Sequence, residues 1–449
     1  MSKVDQLICA RWVVPISPQN IVLEHHAVAV NGGNIIDCLP IANAKEKYQA
    51  TETIELPDHA LMPGLVNTHT HDPMTLFRGL ADDLPLMDWL NNYIWPAEKN
   101  IICSESVTDG CNLAFAEMIR GGTTCFNEHY FFPLETAEAA INNGLRGCIG
   151  NVIMNVPNDW ATDEDAYIAK AKEVLNNKQE HELISWSIAP HAPYTNSDSS
   201  LSKAKQLADD FDLIMHMHLH ETDVEVNIDL EKYGKRPIRR LYDLGLLDEK
   251  FLAVHMVHTN DEDIDIIKQT KTNIVHCPES NLKLASGFAP IQHYLNEGIN
   301  VAIGTDGAAS NNDLDMFGEL RTASFIAKAL TTDPTALPAA KALELATMGG
   351  ARALGLDKKI GSIEAGKCAD IIAVDLGQYI TQPVYNPISH LAYAANRLQV
   401  TDVWVSGKRL LKNKQFTQID IEKVMSKINK WAKKAGEFKS EASTMTTVY

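Results

Sequence analysis

Short apolar runs recur through the middle of the chain, near Leu65, Thr124, Cys148, Ile184, Leu213, Leu252, Ile274 and Val301. Between them lie stretches in which apolar residues return every three or four positions: Glu105 to Arg120, Asp163 to Leu175, Leu201 to Ala208 and Asp261 to Ile267. The short runs read as strands buried on both faces, and the stretches between them as amphipathic helices. Eight strands alternating with helices predict a (β/α)8 barrel, although a doubly wound open sheet shares the same periodicity. The barrel is the better fit because His, Asp and Glu crowd the C-terminal ends of the strand candidates, where barrels carry their sites.

The two ends of the chain have a different texture. Ala27 to Val30 runs into Asn31-Gly32-Gly33-Asn34, a strong turn signal, and apolar character resumes at Ile35-Ile36. Ala369 to Asp375 follows a turn at Gly366-Lys367, and Val403-Trp404-Val405 precedes Ser406-Gly407. Short β elements at both ends predict one small β-sandwich assembled from residues 1–59 and 366–449, flanking a catalytic barrel over 60–365. After Ile419 the chain becomes helical and Lys-rich, and its polar tail is expected to be disordered.

Composition narrows the class without changing this picture. Of 449 residues, 45% are hydrophobic and 22% charged, as in an ordinary globular protein, and the formal net charge is -18. Such a charge repels phosphate backbones and anionic lipid, so neither nucleic acid nor a membrane is an expected partner. No run approaches the length of a membrane span, and the N-terminus lacks a basic leader with a long apolar core. Eight scattered cysteines form no C-x-x-C pair, which argues for a reducing compartment, the cytoplasm.

The candidate chemistry begins at His69 and His71, which close the run from Leu61 to His71. Leu65 and Val66 read as the end of a buried strand, on which residues two apart face the same side, so both imidazoles can converge on one point. His216-Met217-His218-Leu219-His220-Glu221 would put three more imidazoles on one face, and spacing alone does not choose among them. His255 and His258 lie three apart at the end of the sixth strand candidate, so one at most joins a site there. Val301-Ala302-Ile303 delivers Asp306 to the rim of the eighth strand. Three imidazoles and a carboxylate with one open position suit catalytic zinc. The fourth strand candidate, Leu183 to Ala189, carries no lysine that could bridge a metal pair, which favours one ion over two.

Four segments together resemble the amidohydrolase superfamily over essentially the whole chain: Met62 to His71, His218-Leu219-His220-Glu221-Thr222, Gly304 to Asn311, and Ile363 to Asp370. The branch they look most like is that of the aminohydrolases related to triazine hydrolases, which includes nucleoside deaminases. The resemblance implies His69, His71, His218 and Asp306 as ligands of one zinc or ferrous ion. It implies Glu221 as proton carrier, His255 as the imidazole that polarises the attacking water, and Ser310 as a hydrogen-bond partner near the metal. Glu98 matches a ribose-binding glutamate, His191 a substrate-contacting histidine, and Trp89 sits where an aromatic can cover the adenine face.

The activity so implied is hydrolytic deamination at C6 of an adenine nucleoside of the 5′-methylthioadenosine or S-adenosylhomocysteine type, releasing ammonia. The alternatives are a guanine, pterin or cytosine deaminase, a triazine chloro- or aminohydrolase, and a barrel kept only as an assembly scaffold. The expected partners are a small nucleoside substrate and, in a homo-oligomer, further copies of the chain. No arginine for the substrate tail is placed, and Arg146 is expected to pack in the third strand.

Overall fold

The computed structural model describes residues 1–446, with side chains described to residue 436. Strands β1 (Ser2–Val13), β2 (Leu23–Asn31), β3 (Asn34–Pro40) and β4 (Tyr48–Pro63) come first. The parallel strands β5 (Leu65–Thr70), β6 (Thr123–Glu128), β7 (Arg146–Ile153), β8 (Ile184–Pro190), β9 (Ile214–Leu219), β10 (Phe251–His255), β11 (Asn273–His276) and β12 (Val301–Ile303) follow in sequential order. The chain then returns through β13 (Ile371–Asp375), β14 (Val400–Val405), β15 (Lys408–Lys412) and β16 (Gln415–Phe416).

Strands β5 to β12 form the barrel, one for each of the eight apolar runs. Every residue of β6 and β7 is buried, as expected of strands covered on both faces. The helix Ser104–Gly121 shows why the gaps are helical: Val107, Cys111, Ala114, Phe115 and Met118 recur on one buried face. Gly122, at φ 89°, then ends the helix with its N–H on the Ile119 carbonyl.

The seam between the first and last barrel strands is not a ladder but a set of polar bonds. Thr68 donates to the Ile303 carbonyl (2.8 Å), the Thr305 N–H to Asn67 Oδ1 (3.0 Å), and the Asp306 N–H to the His69 carbonyl (2.9 Å). A side chain at Gly304 would meet the His69 main chain at 2.7 Å, so only glycine lets these two strands come so close. The seam therefore sets two candidate metal ligands beside a third.

The termini build one continuous mixed sheet in the order β16-β15-β14-β13-β4-β1-β2-β3. It curls until its β2–β3 turn touches its β14–β15 turn. Gly33 lies against the Ser406 carbonyl, the Ala369 N–H bonds the Gly33 carbonyl, and Trp404 Nε1 reaches Gln6 Oε1 at 2.9 Å. Ile8, Val28, Ile54, Leu61, Ile371 and Trp404 form the core enclosed between the halves.

Three details depart from the sequence expectations. β1 and β4 are long rather than short, because they pair in parallel along nearly their whole length. Leu65 and Val66 open their strand instead of ending it, so the histidines sit at its far end. The stretch after Ile419 is the helix Ile421–Thr446, and the expected tail, where it falls on 447–449, lies outside the described residues. No helix among the described residues is long and apolar enough to cross a membrane.

Candidate metal centre and substrate cleft

The C-terminal ends of β5, β9, β10 and the segment after β12 converge on one cavity. His69 and His71 place Nε2 at 3.3 and 3.1 Å from Asp306 Oδ1, and His218 Nε2 lies 3.1 and 3.3 Å from those same two nitrogens. Ligands about 2.0–2.1 Å from a tetrahedral zinc are separated by roughly 3.3–3.4 Å, so the spacing fits an ion at the common centre.

Proton positions agree with that fit. His71 Nδ1 donates to the His129 carbonyl (2.6 Å) and His218 Nδ1 to the His191 carbonyl (2.6 Å). With Nδ1 of each ring engaged on a carbonyl, both Nε2 atoms are left facing the common centre, 3.3 Å apart. The ordinary second partner of a metal-bound imidazole is thus already in place.

His69 is held differently, with Nδ1 3.1 Å from His216 Nε2. His69, His129 and His216 form a second cluster of nitrogens, wholly buried and lacking a carboxylate. In it His129 Nε2 is already engaged by the Ala189 carbonyl (3.0 Å). The three-histidine run of β9 therefore divides by role. His218 faces the centre, and His216 backs His69. His220 leaves the site because the strand ends at Leu219 and His220 takes φ 55°. Its ring accepts from the Ile238 N–H and meets the His258 carbonyl instead. His258 pairs with Asp223 at 2.8 Å, away from the centre, leaving His255 as the sixth strand's contribution.

Asp306 sits at φ 62° and His255 at φ 77°, left-handed conformations that aim side chains inward at the strand ends. Ser280 and Ser310 donate to Asp306 Oδ2 at 2.7 and 3.1 Å, leaving Oδ1 toward the imidazoles. Burial raises the Asp306 carboxyl, but the imidazoles of His69 and His71 more than reverse this and hold it well below the usual carboxylate range. Glu221 is shifted the other way: burial raises its pKa, and the nearby His255 only partly offsets it. Glu221 Oε2 lies 3.8 Å from His255 Nε2, and Ser286 donates to its Oε1 at 3.1 Å. The Glu225 carboxylate takes both the His220 and Glu221 N–H groups, at 2.8 and 2.9 Å, and so fixes the backbone that carries the acid.

The cavity extends from this centre to an apolar lining. Trp89, Glu98, His191 and Ser310 all line it, as do the metal-site groups His71, His218, Glu221, His255 and Asp306. His69, fully buried, stands behind this surface. The inserted stretch after β5 supplies Trp89 from the turn Leu86–Trp89 and Glu98 from the helix Trp95–Ile101. Burial raises the Glu98 pKa to about 7, against the lowering effect of the Tyr130 hydroxyl, which donates to Oε1 at 2.6 Å. Arg146 is elsewhere: it joins Asp370 at 2.8 Å and ties the barrel to the terminal sheet.

Sequence reading missed several members of the site. Tyr130, His129, Ser280, Ser286 and Asn281 were not singled out, although Glu128-His129-Tyr130 closes a strand and Pro278-Glu279-Ser280-Asn281 follows one. Polar residues at barrel strand ends were the available signal.

The family model described as Amidohydrolase family matches residues 60–410. The chain belongs to the amidohydrolase family. A relative from Saccharophagus degradans, named 5-methylthioadenosine/S-adenosylhomocysteine deaminase, is 42% identical over 95% of this chain and 96% of its own. A solved structure described as an adenosine deaminase from Xanthomonas campestris with bound zinc is 49% identical. It superposes with a TM-score of 0.96 over 97% of this chain and 99% of that one. An atrazine chlorohydrolase from Arthrobacter aurescens TC1, complexed with zinc, shares the fold at 23% identity, with a TM-score of 0.86 over 95% and 100% of the two chains. The amidohydrolase barrel of this chain thus carries a His-Asp donor set suited to a metal ion, and solved neighbours hold zinc.

Proposed function

We propose that this amidohydrolase deaminates an adenine nucleoside of the 5′-methylthioadenosine or S-adenosylhomocysteine type at C6, releasing ammonia and the inosine analogue. One observation carries the reading: a buried acid, Glu221, and a carboxylate, Asp306, share a cavity whose other end holds a ribose-sized acceptor, Glu98. The relatives' names support the same substrate class.

His69, His71, His218 and Asp306 would hold a single ion, zinc or ferrous iron. When bound, that ion supplies Lewis acidity that brings the pKa of a water molecule toward neutrality. Asp306, held by Ser280 and Ser310, takes a proton from the water that adds to C6. His255, with Nδ1 on Asn281 Oδ1 (2.8 Å), keeps Nε2 free to orient that water. Glu221 donates its proton to N1, so the ring accepts electrons without becoming an anion. Asp306 passes its proton to the 6-amino group, which leaves as ammonia, and the C6 hydroxyl proton restores Glu221. The product retains the N1 proton and a C6 carbonyl.

His191 contacts the substrate, Trp89 covers the adenine face, and Glu98 accepts the ribose hydroxyls. We assign the chemistry to a catalytic unit over 60–365, supported on a unit made of 1–59 and 366–449. We place it in the cytoplasm, in keeping with eight free cysteines. The test is ammonia release from methylthioadenosine, S-adenosylhomocysteine, adenosine, guanine and cytosine. Adenine nucleosides should exceed both free bases by at least about 10²-fold in kcat/KM. Preference for a free base would overturn the reading.

A further inference from the structure

Resting on that reading, we propose that the cleft selects adenine nucleosides whose 5′ substituent is uncharged and apolar, and rejects a free amino-acid tail. Among the described residues lining the cavity there is no lysine or arginine; its titratable groups are carboxyls and imidazoles grouped around the metal centre and at Glu98, with the Tyr130 and Tyr194 hydroxyls. With C6 at the metal centre and the ribose hydroxyls at Glu98, the 5′ carbon falls among the side chains nearest that glutamate. Ile94 and Trp95 precede Glu98 by one helical turn, and Phe131 follows Tyr130, with their rings 4.9 Å apart. Leu90 and Met154 complete an apolar wall.

Two polar tips of the cavity lining are already engaged. Trp89 Nε1 donates to the Ala81 carbonyl at 3.1 Å, and the Tyr130 hydroxyl donates to Glu98. The groove adjoining the cleft across Leu86 and Leu284 does hold a lysine and an imidazole, but both are occupied. Lys283 is bonded to Asp82 and Asn312, and His258 to Asp223 and the Ser286 carbonyl. Arg146 is consumed by Asp370 and Ser406. The α-carboxylate of a zwitterionic tail carried into this end of the cleft would be desolvated with no side-chain cation to pair it, its own ammonium being the one counter-charge. A methylthio group would meet only the apolar surface that suits it. A 5′ hydroxyl, as in adenosine, falls between the two.

Four substrates separate charge from length on the metal-loaded enzyme: 5′-methylthioadenosine, 5′-n-butylthioadenosine, adenosine and S-adenosylhomocysteine, each followed by ammonia release. The expected result is kcat/KM within about 10-fold for the two thioethers and about 10-fold lower for adenosine. For S-adenosylhomocysteine it should be at least about 10²-fold lower, with the deficit mainly in KM. If S-adenosylhomocysteine comes within 10-fold of methylthioadenosine, the inference is overturned while the deaminase assignment stands. If butylthioadenosine falls as far as S-adenosylhomocysteine, length and not charge is excluded, and the inference is equally overturned. If none of the four releases ammonia, the deaminase reading itself has failed.

Discussion

The two ends of the cleft are built on opposite plans. At the metal end every working side chain sits at the end of a barrel strand or just beyond one, and two of the imidazoles are held by main-chain carbonyls. The His129 and His191 carbonyls hold His71 and His218, and the Asp306 N–H is tied to His69. At the end we assign to the nucleoside the walls come from the stretch after β5, a series of short helical turns, and from residues following β6 and β7. Trp89 and Phe131 are fixed there by packing, Trp89 also through Nε1 on the Ala81 carbonyl, and Glu98 by the Tyr130 hydroxyl. A rigid rim suits chemistry that tolerates little displacement, and an inserted wall suits recognition that varies between substrates. Changes at the first end should therefore act on kcat, and changes at the second on KM.

The strongest challenge to that division is Glu221→Gln, which keeps the shape of the acid and removes its proton. Turnover should fall by about 10³ to 10⁴-fold, with one metal ion still bound per chain and KM little changed. Ammonia release alongside metal analysis checks both halves. Retained turnover, or loss of the ion, would show that Glu221 is not the proton carrier at the metal end.

The same contrast explains what could be read without coordinates. Metal chemistry admits few residue types, so His69, His71 and Asp306 stood out one by one, and the resemblance chose His218 from its run. The alternation of apolar runs likewise gave all eight barrel strands, since a strand buried on both faces leaves a continuous apolar signature. The role of His220 was hidden because a left-handed residue after Leu219 breaks the two-residue alternation, and one sequence does not reveal that reversal. The bond from Tyr130 to Glu98 joins the ends of two distant segments, so no spacing rule anticipates it. The single curled sheet of the termini was visible only as strands, because which edges meet depends on contacts such as Gly33 against Ser406.

The seam gives a subtler way to damage the metal end without touching a ligand. In Gly304→Ala the new methyl group would be forced against the His69 main chain at 2.7 Å, where no flexible side chain can yield. Separation of β12 from β5 should carry Asp306 away from His69 and His71. Overpacking of this kind costs about 1–3 kcal/mol of stability, and a displacement approaching 1 Å can cost about 10²-fold in rate. Chelator competition should reveal weakened metal affinity, and thermal unfolding a lower Tm. A variant with unchanged metal affinity would mean that the seam does not position the ligand set.

The smallest expected effect lies at the nucleoside end and carries its own pH signature. Burial lifts the Glu98 pKa to about 7, so the group gains its charge as pH rises through that value. Only the ionised carboxylate offers both oxygens to two ribose hydroxyls while it also accepts from Tyr130. Binding should then favour the ionised form: KM should be high below about pH 7, fall as pH increases, and level off once Glu98 is ionised. Glu98→Gln removes the titration, so its KM should lose this dependence and stay above the wild-type plateau by roughly 10 to 10²-fold, as for a lost hydrogen bond to a charged group. Because Glu98 is assigned to the ribose and to no proton transfer, kcat should change by no more than a few-fold. A large fall in kcat with KM preserved would reverse the assignment of recognition to this end, and would place Glu98 among the groups that act on the reacting ring.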